Sequence, residues 1–292
     1  MNNILVAYDF DRQSEAALQQ AVNLARITKC KITLLYVHDT AGLLTGIFSD
    51  INDEAKLEKV NDHLDVVAAR VSLHEGIPVE ASLQKGRISS TINRVARDIK
   101  ASFIVMGTRS SDNSDPVGKR MMGTNTSRVI RSAPCPVITI NGFDHYNGCR
   151  SILLPMDLTK VTTQKVGWAI DIAKLYCAGI RAVSALWSVN DPKIVNKLSN
   201  LMEKVKAEIE NAGIVCETEI IKTPAGEKTH VPALLEYAET KGDIDLIVIM
   251  TQQEFSIIEF FIGSNAQEFI RSSEIPVVSI VPDETGFKSM LP

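Results

Sequence analysis

One aspartate and two glycine-containing turns are the residues of this chain best placed to hold a small ligand. Asp9 closes an apolar run, Gly107 closes another, and Gly123-Thr124 opens a helical pattern. A glycine lets a phosphate approach the backbone, and the free N–H groups at a helix start supply donors and partial positive charge. These residues predict a phosphate-binding site, and a plain turn followed by a helix cap is the alternative that the same glycines allow.

The pattern that surrounds these residues occurs twice. Residues 4–10 return as residues 152–158, each an apolar run that ends in a lone aspartate before a helical pattern. Residues 122–132 return as residues 262–272, and a Pro-Val strand follows both copies. The interval between copies is the length of a whole domain. We therefore predict two tandem domains, 1–142 and 149–284, joined by a short polar connector.

Apolar strand patterns alternate with helical periodicity in both halves. Parallel neighbours need crossover connections, which place helices on both faces of a sheet. We predict an α/β fold with two doubly wound, Rossmann-like domains, each a five-stranded parallel sheet flanked by helices. Ligands bind such sheets at the carboxyl ends of the strands. The predicted strands are 3–9, 31–37, 79–83, 102–106 and 136–140, then 151–156, 180–187, 215–221, 244–250 and 276–281.

Composition narrows the class of protein. The chain has 292 residues, of which 45% are apolar and 23% charged, with a net charge of −4. This balance argues against nucleic acid as the partner, and no apolar run is long enough to span a membrane. We expect a cytoplasmic protein with reduced cysteines and no metal site. Trp168 and Trp187 fall within helix and strand patterns and are predicted to lie in the core.

Several motifs together resemble one family. They are Tyr8-Asp9-Phe10, the second strand ending in Val37-His38-Asp39, Ile104-Val105-Met106-Gly107-Thr108, and Gly123-Thr124-Asn125 followed by Ile130-Arg131-Ser132 and a Pro-Val strand. The whole chain, once per half, is similar to the universal stress protein family. The resemblance implies a non-enzymatic stress-response protein for binding or signalling, and some family members bind ATP. It implies these nucleotide-binding residues in the first half: Asp9, Val37, Met106, Gly107, Arg109, Gly123, Thr124 and Asn125.

The first half departs from the family's glycine pattern, G-x2-G-x9-G-[ST]. Ser110 replaces the second glycine, and Gly123 lies three residues later than the pattern requires. The stretch between them carries Asp112 and Asp115, which repel a triphosphate unless Mg²⁺ or nearby cations compensate. Two alternatives remain open for this half. It binds ATP with Mg²⁺, or it binds no nucleotide and has a purely structural role.

The second half departs further. Thr251 is predicted to stand at the first glycine, and Glu254 falls near the second. A β-branched side chain obstructs a close backbone approach, and a carboxylate opposes phosphate. Asp157, Gly263 and Ser264 persist as weak counterparts of the first-half residues. We therefore predict a degenerate second domain and place any nucleotide in the first.

Three functions follow as alternatives. The leading one is a binding or signalling protein that holds an adenine nucleotide in its first domain. The second is a nucleotide-free structural or protein-interaction member, with an unidentified protein partner. An ATPase is disfavoured because no base, nucleophile or P-loop lysine can be named. We also expect an intramolecular pseudo-dimer through the closing strands 136–140 and 276–281, because apolar sheet edges favour pairing. A homodimer is a further form of association that the sequence leaves open.

Overall fold

The computed structural model describes residues 3–40, 51–108, 122–141, 148–157, 162–187, 192–251, 264–283, 287 and 289. It divides into two compact units, Met1–His145 and Tyr146–Pro292. Strands and helices alternate in each unit, which confirms the α/β fold that the apolar patterns predict.

The first unit contains a five-stranded sheet with the order β3-β2-β1-β4-β5, in which every neighbouring pair is parallel. Its elements are β1 (Asn3–Ala7), α1 (Arg12–Thr28), β2 (Lys31–Asp39), α2 (Ile51–Glu75), β3 (Val79–Gly86), α3 (Ile88–Asp98), β4 (Phe103–Gly107), α4 (Thr124–Ser132) and β5 (Val137–Ile140).

The second unit repeats this plan with the order β10-β9-β6-β7-β8, again with parallel pairs. Its elements are β6 (Ser151–Pro155), α5 (Thr162–Tyr176), β7 (Gly179–Leu186), α6 (Pro192–Asn211), β8 (Cys216–Lys222), α7 (Val231–Lys241), β9 (Ile244–Met250), α8 (Ser264–Ser272) and β10 (Val277–Ile280).

The central strands form because they are continuous apolar runs, as strands covered on both faces require. Ile4, Leu5 and Val6 of β1 are fully buried, and Ile104 and Val105 of β4 are equally inaccessible. Their burial, at roughly 25 cal/mol per Å² of apolar surface, makes the centre of the sheet the main source of stability in the unit. The site at the ends of these strands therefore rests on a rigid base.

The winding of the first sheet reverses between β1 and β4. From β1 the chain proceeds to β2 and β3 on one side, and then crosses back to β4 and β5 on the other. A crevice forms where crossovers leave in opposite directions, and ligands bind there in open α/β sheets. The carboxyl ends of β1 and β4 are the edge at which the predicted site residues lie.

Two details differ from the sequence predictions. The first strand ends at Ala7, so Asp9 lies beyond the strand and not within it. Trp187, predicted to be a core residue, is 46% exposed because β7 ends at Leu186 and leaves the indole outside the sheet. Its ring packs on His230 with the centroids 4.5 Å apart.

Candidate functional site

Asp9 lies between the carboxyl end of β1 and the first turn of α1. Its backbone N–H donates to Ser14 Oγ at 3.3 Å, and its Oδ1 accepts from the backbone N–H of Asp11 at 3.3 Å. Asp11 is the N-cap of α1 and accepts from the N–H of Ser14 at 2.6 Å. An aspartate cap satisfies an amide that the helix leaves unpaired. The sequence Asp-x-Asp-x-x-Ser thus fixes the backbone that carries Asp9.

The carboxyl group of Asp9 titrates closer to neutrality than an ordinary aspartate. Partial burial, followed by repulsion from Asp11, raises its pKa to about 6. The residue as a whole is nevertheless exposed, so the turn encloses only part of the carboxyl group. Asp9 is therefore an accessible acceptor whose charge changes just below neutral pH.

Val37 lies in β2, two residues beyond Leu35, which is the pairing partner of the last residue of β1. Ala7 pairs with Leu35 across β1 and β2, and Asp9 and Val37 are each two residues further along. Val37 is half-buried. The structure thus brings an apolar side chain and a carboxylate, both predicted as site residues, to the same edge.

Gly107 is the last residue of β4 and packs against the first turn of α1. A Cβ atom at this position would lie 2.9 Å from Cβ of Gln13 and 3.3 Å from its Oε1. Contacts under 3.0 Å are not tolerated without a shift of the backbone or side chain. The missing side chain therefore makes room for α1, which is a structural reason for this glycine independent of any ligand.

Thr108 connects the end of β4 to three other elements and is 1% exposed. Its hydroxyl lies 3.0 Å from Asn141 Oδ1, and Gln13 Nε2 donates to the Asn141 carbonyl at 3.0 Å. The Thr108 carbonyl accepts from the N–H of Gly123 at 2.8 Å and from the Thr126 hydroxyl at 3.3 Å. Buried polar groups of this kind need such partners, and here they fix α4 next to β4.

The start of α4 presents backbone donors at this edge. Gly123 is the N-cap, and no side chain caps the helix. Thr124 is exposed and Asn125 is half-buried. First-turn amides have no acceptor within the helix, and the helix dipole adds partial positive charge there. The three predicted residues therefore meet the end of β4 in an arrangement suited to an anion.

The remaining predicted residues are less informative. Met106 is 6% exposed within β4, so its side chain belongs to the core. Arg109 and Gly263 lie outside the described residues, as do Ser110, Lys119 and Arg120. Ser264 begins α8, but its side chain is also outside the described set.

Backbone hydrogen bonds show which residue after β9 corresponds to which residue at the end of β4. The N–H of Thr108 donates to Ile140 O at 3.0 Å, and the N–H of Thr251 donates to Ile280 O at 2.9 Å. Thr251 is thus the counterpart of Thr108, and Met250 stands where the first unit has Gly107. The prediction that Thr251 replaces the glycine was wrong by one residue, because the loops after the two strands differ in length and leave the register undetermined.

Asp157, the second-unit counterpart of Asp9, has a cationic neighbour. Lys165 of α5 is 5% exposed, and its Nζ donates to the Pro155 carbonyl at 2.6 Å. The same Nζ lies 3.9 Å from Asp157 Oδ1. Burial lowers the pKa of Lys165, and the carboxylate of Asp157 opposes this effect only in part.

A cavity of about 260 Å³ lies beside this pair, at the carboxyl ends of β6, β7 and β9. Asp157, Lys165 and His230 are among its lining residues, and most of the others are apolar. His230 Nδ1 lies 2.6 Å from the Thr223 hydroxyl, and burial lowers the pKa of the imidazole. The second unit thus contains a real concavity at the edge where ligands bind in this fold.

Comparison with known proteins agrees with this architecture. The model of the universal stress protein family matches residues 1–141 and again residues 148–280. The chain belongs to the universal stress protein family. A universal stress protein of Thermus aquaticus is 32% identical over 138 residues, which cover 47% of this chain and 96% of that protein.

Solved structures share the fold of this universal stress protein. A universal stress protein from Archaeoglobus fulgidus DSM 4304 matches with a TM-score of 0.75 at 19% identity, over 97% of both chains. A structure from Pseudomonas aeruginosa UCBPP-PA14 matches with a TM-score of 0.68 at 20% identity, over 97% of this chain and 94% of that one. At these identities the likeness concerns the fold.

Within the described part of the chain, no helix is long and apolar enough to cross a membrane. The same residues include no group of three or more histidine, cysteine, aspartate or glutamate side chains that could hold a metal ion.

Sequence reasoning missed two residues that shape the sites of this universal stress protein. Gln13 contacts Gly107 from α1, and no local pattern links residues so distant in the chain. Lys165 had a detectable signal, because it shares the buried face of α5 with Ala169 and Ile172. A lysine at helical spacing with core residues indicates a side chain that begins on the buried face of the helix.

Proposed function

We propose that this universal stress protein is a non-enzymatic binding or signalling protein whose first domain holds an adenine nucleotide, ATP with Mg²⁺ in the simplest case. One observation carries the proposal. Asp9 follows β1, Val37 lies near the end of β2 and the uncapped start of α4 follows β4, so all three belong to the carboxyl edge of the sheet whose winding reverses between β1 and β4.

Each part of this edge suits a different part of a nucleotide. An ionised Asp9 accepts hydrogen bonds from ribose hydroxyls or from the adenine amino group. Val37 offers an apolar surface beside it. The first-turn amides of α4 donate to phosphate oxygens, with the helix dipole favouring their charge. The second domain is degenerate as a nucleotide site, because Met250 occupies the position of Gly107.

The matched aspartates of the two copies test the location of the site. Isothermal titration calorimetry with MgATP should show binding by the wild-type chain, a loss of at least about tenfold in Asp9→Asn, and little change in Asp157→Asn. The reverse dependence would place the nucleotide in the second domain. Mass spectrometry of the denatured, purified protein would additionally identify any nucleotide that co-purifies.

We propose that the bound nucleotide is not turned over. Hydrolysis needs a positioned water and stabilisation of the charge that develops on the γ-phosphate. The sequence has no P-loop motif, since Gly118-Lys119 lacks the upstream glycine and the following serine or threonine. We expect steady-state ATPase activity well below the ~1 s⁻¹ lower range of ordinary enzymes. Faster turnover that is lost on substitution of Lys119 or Arg120 would overturn this proposal.

A nucleotide-free member of the family is the second candidate. The contact between Gly107 and Gln13 favours it, because packing alone explains a glycine that the family pattern assigns to phosphate binding. Absence of co-purified nucleotide together with absence of calorimetric binding by the wild-type chain would support this candidate over the first.

We also propose that the closing strands of the two halves pair in an intramolecular pseudo-dimer. Each of residues 136–140 and 276–281 is apolar and would otherwise form a sheet edge. A crystal structure with these strands more than about 10 Å apart, roughly twice the normal strand spacing, would contradict the proposal.

A further inference from the structure

The second domain carries a buried lysine where the first carries a buried alanine. Asn3 pairs with Lys31, and Ser151 pairs with Gly179, and the same number of residues separates the members of each pair. Position by position, Lys165 therefore corresponds to Ala17, which is fully buried. The second domain therefore has a primary amine in its helix–sheet interface, at the position where the first domain has the methyl group of Ala17.

The aliphatic part of the Lys165 side chain is buried, and the residue lines the cavity. Nζ lies 2.6 Å from the Pro155 carbonyl and 3.9 Å from Asp157 Oδ1, and both of those residues line the cavity. The amine thus lies at the carboxyl edge of β6 with a carboxylate as its neighbour. A lysine desolvated by burial is an arrangement that proteins use for covalent chemistry with carbonyl compounds.

The size and lining of the cavity restrict what can reach the amine. Its volume of about 260 Å³ lies just below the lower end of the range typical of drug-sized ligands, about 300 Å³. Leu198, Leu234, Ile249 and Phe269 contribute apolar lining. The predominantly apolar lining is a poor match for a triphosphate. A small, uncharged, largely apolar molecule suits it.

We propose that the second domain binds small apolar aldehydes covalently and reversibly, as an imine with Nζ of Lys165. The lone pair of the neutral amine forms an N–C bond to the carbonyl carbon, and the π electrons of the C=O bond move to oxygen, which takes up a proton. The carbinolamine then loses water as its C–O bond breaks and a C=N bond forms. The nitrogen releases two protons in all, the first to the alkoxide oxygen of the carbinolamine and the second to the hydroxyl that departs as water. Asp157, whose Oδ1 lies 3.9 Å from Nζ, is placed to carry both.

The desolvation of Lys165 supports this reactivity. An ordinary lysine, with a pKa near 10.4, is neutral in only about one molecule in 2,500 at pH 7. Burial lowers the pKa of Lys165 and enlarges the neutral, nucleophilic fraction. Imine formation at Lys165 does not depend on nucleotide binding by the first domain, so an experiment can refute one of the two proposals and leave the other standing.

Reductive trapping tests the proposal on the full-length protein. The chain is incubated at pH 7 with butanal and sodium cyanoborohydride, and the modified lysines are mapped by peptide mass spectrometry. Lys174, an exposed lysine on the same helix, is the internal control. We expect Lys165 to be labelled at least about tenfold faster than Lys174. An aldehyde-bearing dextran, which is too large for the cavity, should label exposed lysines and spare Lys165.

The variants give a second readout. Lys165→Met should lose one fast-reacting site in the intact mass, and Lys174→Met should keep it. Equal labelling of Lys165 and Lys174 in the wild-type chain, or no adduct on Lys165, would overturn the proposal. The wild-type map decides the question even if Lys165→Met does not fold.

Discussion

Protonation of Asp9 should set the pH range in which the first domain binds a nucleoside. The perturbation is a change of pH from 8 to 5. Because the pKa of Asp9 is about 6, the carboxylate is roughly 99% ionised at pH 8 and about 9% ionised at pH 5. If only the ionised form accepts the hydrogen bonds of the ligand, affinity falls about tenfold, which is about 1.4 kcal/mol.

The assay is calorimetry with adenosine in place of ATP. A phosphate group titrates near pH 6 and would obscure the effect, whereas adenosine carries no phosphate. Asp9→Asn should bind weakly at both pH values and show a flat profile. Asp11→Asn keeps a capping side chain for α1 but removes the negative charge beside Asp9. Its midpoint should move below 6, only part of the way to 4, because burial is the larger cause of the shift.

The reasoning would be refuted by a wild-type midpoint near 4 or by an Asp9→Asn variant that keeps the pH dependence. Stability gives an independent check. The pKa of Asp9 is higher in the folded state than the ordinary value of 3.8, so the folded chain binds more protons between about pH 4 and 6. The free energy of unfolding should therefore fall as pH rises through this window, and Asp9→Asn should lose that part of the slope.

Two further predictions concern packing and buried polar groups. Gly107→Ala should lower the free energy of unfolding by about 1–3 kcal/mol, since the new Cβ would lie 2.9 Å from Cβ of Gln13; an unchanged denaturation midpoint would show that α1 shifts at no cost. Asp245→Ala should destabilise the second domain by about 1–3 kcal/mol, because the Asp245 carboxylate accepts from the backbone N–H of Arg150 at 2.7 Å and from its guanidinium. Asp245→Asn should cost less in the same urea titration, because its one remaining oxygen can still accept; an equal loss would show that both carboxylate oxygens are needed.

The elements and the general location of the site follow from local patterns in the sequence. Buried strands such as β1 and β4 are continuous apolar runs, and Asp9 is recognisable because it directly follows one of them. The approach of Gln13 to Gly107 could not be predicted, because it depends on how α1 packs across the sheet. The match between Thr251 and Thr108 required strand register, which loops of unequal length conceal.

The hydrogen bond from the Gly123 N–H to the Thr108 carbonyl closes the segment that joins them, residues 109–122, at its base. The flanking groups, Thr108 O and Gly123 N, lie 2.8 Å apart. Closing a longer loop costs little extra entropy, about 0.6 kcal/mol for each doubling in length. We therefore expect insertions between Thr108 and Gly123 to cost the fold little. Changes in the length or composition of this segment can therefore alter what the domain recognises while the fold of the domain stays the same.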